Sequence, residues 1–159
     1  MGDCTFHNTK EERCFEDYET GCVYEFGSIN VDESEMIEFA GRYDPQPFHT
    51  DPEAAKTSVY GGLIASGWHT SAMMMRLLVD RYLPTAASLG SPGVDELRWT
   101  KPVRPGDRLS LRITVMEARR SQSKPDRGVV RSFVEVINGE KETVMTMKAM
   151  NILRCRNTG

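Results

Sequence analysis

The run GWHTSAMMMRLLVDRYL, from Gly67 to Leu83, contains no proline and no glycine after its first residue, and between 72 and 79 only Arg76 interrupts the apolar side chains. Such a stretch predicts one helix, and a helix apolar on nearly every side belongs inside a protein, because exposure would leave its hydrocarbon surface in water. Pro84 closes it, since proline cannot donate to the helical ladder. The remainder of the chain has to supply a cover for this helix.

The cover is written downstream as strands. Leu109, Leu111, Ile113 and Val115 alternate with Ser110, Arg112 and Thr114, and Val130, Val134 and Val136 alternate with Arg131, Phe133 and Glu135. Period-two alternation marks antiparallel strands with one buried face. We place strands at 93–101, 107–119, 128–138 and 142–154, with tight turns at RPGD (104–107) and NGE (138–140). An opening strand falls at 22–31, followed by a short helix from Asp32 to about Gly41. The expected fold class is α+β: a curved antiparallel sheet of five or six strands wrapped around a long central helix. That is the hotdog arrangement, although other α+β layouts share the same pattern.

A length of 159 residues suits one domain, which we expect at 21–155 after an irregular polar arm at 1–20. The formal charge of −3, with acids and bases intermixed, provides no basic stripe for a nucleic-acid backbone. No segment reaches the roughly 20 apolar residues of a membrane span, and the polar start lacks a secretory core, so a cytoplasmic protein is expected. Cys4, Cys14, Cys22 and Cys155 show no CxxC spacing and are expected as reduced thiols. Cys4 and His7 alone are too few ligands for a zinc site, and no metal is expected.

The segment RYDPQPFHTDPEAA, 42–55, sets an acid and an imidazole close together among three prolines. Pro45, Pro47 and Pro52 remove amide donors and push their predecessors out of helical geometry, which predicts a loop of fixed course. Asp51 and Pro52 then open a short helix as N-cap and first residue. Two readings of Asp44 and His49 stand. One makes them a turn cap and a pocket filler; the other uses the rigid loop to hold an acid/base pair around one water molecule. Gly67 likewise serves either a turn or the close approach of a ligand to a free amide at a helix start. Met73, Met74 and Met75 are packing residues or the lining of a pocket. We expect His69 to be a polar wall or interface residue.

Three runs, YDPQPFHTDPEAA, YGGLIASGWHTSA and LRWTKPVRPGDRLSLRITV, together resemble the MaoC-like acyl dehydratases, which include (R)-specific enoyl-CoA hydratases; the similarity extends in order over about 18–153. The family pattern D-x-N-P-x-H is met at Asp44, Pro47 and His49. The resemblance implies that Asp44 and His49 are the catalytic pair and that the Gly67 amide binds the thioester oxygen. Gln46 stands where the family usually has asparagine, and Met75 where some members carry a serine.

The implied reaction is reversible hydration of an enoyl-CoA to a 3-hydroxyacyl-CoA, with coenzyme A entering as part of the substrate, an acyl-CoA thioester. No cofactor and no metal are expected. The resemblance also implies a homodimer or higher homo-oligomer, with no nucleic-acid or membrane partner. Rival readings are an acyl-CoA thioesterase of the same fold and a non-catalytic subunit that binds acyl thioesters. Arg98, Lys101 and Arg104 are possible partners for coenzyme A phosphates.

Overall fold

The computed structural model describes residues 4–157. Five strands, β1 (Val23–Asn30), β2 (Gly93–Trp99), β3 (Arg108–Arg120), β4 (Arg127–Ile137) and β5 (Thr143–Arg154), form one sheet in the order β1-β3-β4-β5-β2, with every neighbouring pair antiparallel. Helices α1 (Glu33–Tyr43), α2 (Pro47–Thr50), α3 (Pro52–Lys56) and α4 (Gly67–Leu77) lie between β1 and β2 in sequence. Helix α4 packs against β1 and β3. This is the expected hotdog arrangement.

Register explains why the alternation was informative. Tyr24, Ile113, Val134 and Met147 face one another in a row across four strands, and all are buried. The next row runs Phe26, Leu111, Val136, Met145 and ends on Trp99 of the edge strand β2. Met73, Met74 and Leu77 of α4, with Leu78 just beyond it, meet this face. Each such side chain, when fully buried, contributes about 1.5–3 kcal/mol of transfer free energy. Met73 and Met74 are therefore packing residues.

The central helix departs from expectation in two respects. Its α-helical part ends at Leu77, and a π-helical turn, Leu78–Tyr82, carries it to Pro84. It is also buried on one side only: Met75 and Val79 are 44% and 45% exposed. A single sheet covers one face of a helix, and the other face of α4 remains open in the isolated chain. Helix α1 passes through Gly41 and ends at Tyr43.

The N-terminal arm is docked on the domain. A 3-10 turn forms at Phe15–Asp17, and the buried Arg13 guanidinium lies 3.7 Å from the centre of the Phe6 ring. Arg13 Nη1 donates to the carbonyls of Arg81 and Tyr82 at 3.1 and 3.0 Å, where positive charge suits the end of the central helix. The expectation of four reduced thiols is wrong: Cys4 and Cys22 form a disulfide. The Cys4 amide bonds to the Val23 carbonyl at 3.0 Å, which seats the arm beside the start of β1 and brings the two Cα atoms to 5.5 Å. Cys14 and Cys155 are free. Among the described residues no helix is long and apolar enough to cross a membrane.

Candidate active site

Asp44 is the residue at which α1 stops. Its amide still bonds to the Ala40 carbonyl at 2.8 Å, but its own backbone has left helical geometry, as the following Pro45 requires. Gln46 is extended for the same reason and serves as the N-cap position of α2, which begins at Pro47. The stretch ahead of Asp51 was expected to be loop; instead Pro47 opens a single helical turn, Pro47–Thr50. Proline is compatible with that first position because its missing donor would be unpaired there in any case. His49 is the third residue of this turn, and its amide bonds to the Gln46 carbonyl at 2.8 Å. Asp51 caps α3 through bonds from the amides of Glu53 and Ala54.

His49 is 5% exposed. Its Nδ1 lies 2.8 Å from the Ile64 carbonyl, which only accepts, so Nδ1 carries the proton and Nε2 keeps a lone pair when the ring is neutral. Nε2 faces Asp44 Oδ2 at 3.3 Å. The carboxylate is held from two further directions: Gln46 Nε2 donates to Oδ1 at 2.7 Å, and Ser66 Oγ donates to Oδ2 at 2.7 Å. Partial burial pushes the Asp44 carboxyl up, but the bonds from Gln46 and Ser66, with His49 beside it, outweigh burial and hold it below its ordinary value. Gln46 thus reaches Asp44 directly with the amide that distinguishes it from the usual asparagine only by length.

Gly67 begins α4, and at that position its amide has no carbonyl one turn back to bond. Ser66 is the N-cap, its Oγ accepting from the Trp68 amide at 3.3 Å. The indole of Trp99 lies directly on Gly67: a Cβ built there would sit 2.5 Å from the nearest ring atom. Trp99 Nε1 donates to Ser71 Oγ at 3.4 Å, and Ser71 Oγ donates to the Gly67 carbonyl at 3.0 Å. Asp44, Gln46, His49, Gly67, Trp99 and Lys101 all line one cavity of about 520 Å³. The three residues singled out from the sequence are therefore brought together on a common space.

Other candidates lie elsewhere. His69 stacks on Phe39 with ring centres 4.7 Å apart and places Nε2 3.2 Å from Glu35, lining a separate cavity of about 390 Å³. Met75 does not line the Asp44 cavity. Lys101 does, and pairs with Glu142. Arg104 donates to the Tyr60 carbonyl at 2.6 Å, and Arg98 to the carbonyl of its own neighbour Leu97.

Sequence reasoning missed Ser66, Trp99 and the Ile64 carbonyl. Ser66 was readable as a helix cap in front of Gly67, but the carboxylate it touches is 22 residues away. The carbonyl of residue 64 and the tryptophan above Gly67 left no local signal.

The fold and this pocket define a hotdog domain with an acid–imidazole pair at the head of its central helix. The chain belongs to the MaoC-like domain family, whose profile matches residues 17–138. Its sequence is 27% identical over 139 residues to the uncharacterized protein YdeM of Bacillus subtilis, covering 87% of this chain and 96% of that one. A MaoC-like dehydratase from Rhodospirillum rubrum superposes with a TM-score of 0.84 at 40% identity, over 91% of this chain and 99% of the other. The (R)-hydratase PhaJ1 from Pseudomonas aeruginosa superposes with a TM-score of 0.72 at 25% identity, over 91% and 86%.

Proposed function

We propose that the protein catalyses the reversible addition of water to a trans-2-enoyl-CoA, giving a 3-hydroxyacyl-CoA, with Asp44 and His49 as the acid/base pair. The observation that carries this reading is the meeting of Asp44 Oδ2 and His49 Nε2 at 3.3 Å on the cavity that also reaches Gly67. With Nδ1–H committed to Ile64, a neutral His49 turns an acceptor toward an acceptor. A water molecule satisfies both by donating one proton to each, which leaves its oxygen lone pairs free to attack.

The chemistry follows. The water oxygen bonds to C3 of the enoyl group while one of its protons passes to the pair. The π electrons of the C2–C3 bond move to the thioester oxygen, which the Gly67 amide and the start of α4 stabilise as an enolate. The pair returns a proton to C2 and the enolate collapses, so H and OH have been added and the protein is unchanged. The thioester supplies the activation, and the step calls on no metal or redox cofactor.

A homodimer accords with the same reading. Among the described residues strand β2 ends the sheet with an unpaired edge; Val94 and Trp99 are exposed on it, and Met75 and Val79 on the central helix. Crotonyl-CoA incubated with the purified protein tests the activity. Loss of enoyl absorbance without thiol release is the expected result. Thiol release without hydration identifies a thioesterase, and saturable binding with neither change identifies a binding subunit; either outcome overturns the proposal.

A further inference from the structure

Resting on the hydratase reading, the geometry points to Ser66 as the positioning residue of the site: its hydroxyl fixes the Asp44 carboxylate against His49 and ties both to the start of α4. Ser66 is fully buried, at 0% exposure. Its hydroxyl has one proton and two contacts whose directions are settled by their partners. The Trp68 amide can only donate, so Ser66 Oγ accepts from it at 3.3 Å and spends its proton on Asp44 Oδ2 at 2.7 Å.

The consequence is geometric. Oδ2 accepts from Ser66 and presents its remaining lone pair toward His49 Nε2, while Gln46 secures Oδ1 on the other side. The carboxylate cannot rotate about its Cβ–Cγ bond without breaking both bonds, and both favour its ionised, accepting form. Ser66 also immediately precedes Gly67. The same hydroxyl that aims the acid/base pair therefore caps the helix whose first residue lines the cavity, so the placement of the acid/base pair relative to the head of α4 is governed through one residue.

Three variants separate this role from simple helix capping. Ser66→Ala removes the hydroxyl; Ser66→Gly removes it at a position where glycine is a tolerated cap; Ser66→Thr retains it. The first readout needs no turnover: the Asp44 carboxyl carbon is titrated by NMR in each protein. The second is the pH profile of kcat/KM for crotonyl-CoA. We expect the Asp44 midpoint to rise by about one pH unit in both Ser66→Ala and Ser66→Gly, the acid limb of kcat/KM to move in the same direction, and Ser66→Thr to restore the wild-type values. An unchanged Asp44 midpoint in Ser66→Gly overturns the inference, as does activity that follows thermal stability across the series and not the hydroxyl. If the wild-type protein does not hydrate crotonyl-CoA, the hydratase reading fails, while the NMR titration still decides whether Ser66 governs Asp44.

Discussion

Substituting Gly67 by alanine tests whether the head of α4 is a ligand site or only a place where an indole fits. The new Cβ would lie 2.5, 2.6 and 2.9 Å from Cε2, Cδ2 and Nε1 of Trp99. Carbon atoms rest about 3.5–4.0 Å apart, so the ring must retreat by about 1 Å or more. Trp99 is 43% exposed at the end of an edge strand and has room to swing outward. In doing so it gives up its contact with Gly67, its bond to Ser71 and its edge-on contact with Trp68, whose ring centre is 5.1 Å away. The aromatic contact is worth about 0.5–1.5 kcal/mol and the long hydrogen bond about 0.5–1.5 kcal/mol, which together fall in the range of about 1–3 kcal/mol for overpacking. A chain of this length loses about 2–4 °C of Tm per kcal/mol. Alanine keeps the backbone amide, so its effect on catalysis is steric: a Cβ that holds the thioester oxygen off this amide forfeits one oxyanion donor, which costs about 10²–10³ in kcat. These two effects separate when Gly67→Ala is added to a Trp99→Ala background, where the clash is absent. There we expect Gly67→Ala to be thermally neutral or mildly stabilising and still to lower kcat for crotonyl-CoA hydration by about 100-fold. Full retention of the Trp99→Ala rate in the double variant would refute the reasoning and leave Trp99 packing as the reason for the glycine.

Three further outcomes are expected. Asp17 is partly buried, which raises its pKa, but bonds from the Cys14 amide, Arg156 and Asn8 outweigh this and hold it below 3.8. Its contribution to stability is therefore present above about pH 4 and lost as pH falls through the depressed native value, so denaturant melts of wild type and Asp17→Asn should differ at pH 7 and draw together as the pH is lowered through that value. Reduction of the Cys4–Cys22 disulfide, which closes a loop of separation 18, should cost about 3 kcal/mol and lower Tm by about 6–12 °C, and an unshifted melt with both thiols labelled would contradict the pairing. Leu111→Ala, at a site 1% exposed in the middle of the sheet, should lose about 2–5 kcal/mol in a urea titration.

The features legible in the sequence are those whose cause is local. Ile113 and Val134 announce a buried face because strand periodicity is a property of neighbouring residues, and Gly67 and Pro84 bracket the central helix for reasons contained in their own backbones. Asp51 and Pro52 signal α3 in the same way. Asp44 and His49 are close in sequence and set among prolines, and their resemblance to a known pattern did the remainder. The rest depends on contacts that the chain makes only after folding. Ser66 meets Asp44, Trp99 covers Gly67, and the Ile64 carbonyl selects the tautomer of His49 across separations that no period encodes. The Cys4–Cys22 bond was missed because spacing carries no information about which thiols a docked arm brings together. The turn at Pro47 gave no cap signal like that of Asp51, since Gln46 makes no side-chain cap bond, and proline is excluded only from a helix interior.

The central claim is that Asp44 and His49 act as one unit on one water molecule. A double-mutant cycle on kcat/KM for crotonyl-CoA with Asp44→Asn, His49→Asn and the combined variant tests it most directly, because the asparagine amide at position 49 can replace the Nδ1 bond to Ile64. Each single substitution should reduce the rate by about 10²–10⁴, and the pair together should be no slower than the slower single variant. Losses that multiply, or a wild-type rate in either single variant, would show that the two side chains do not share a substrate water.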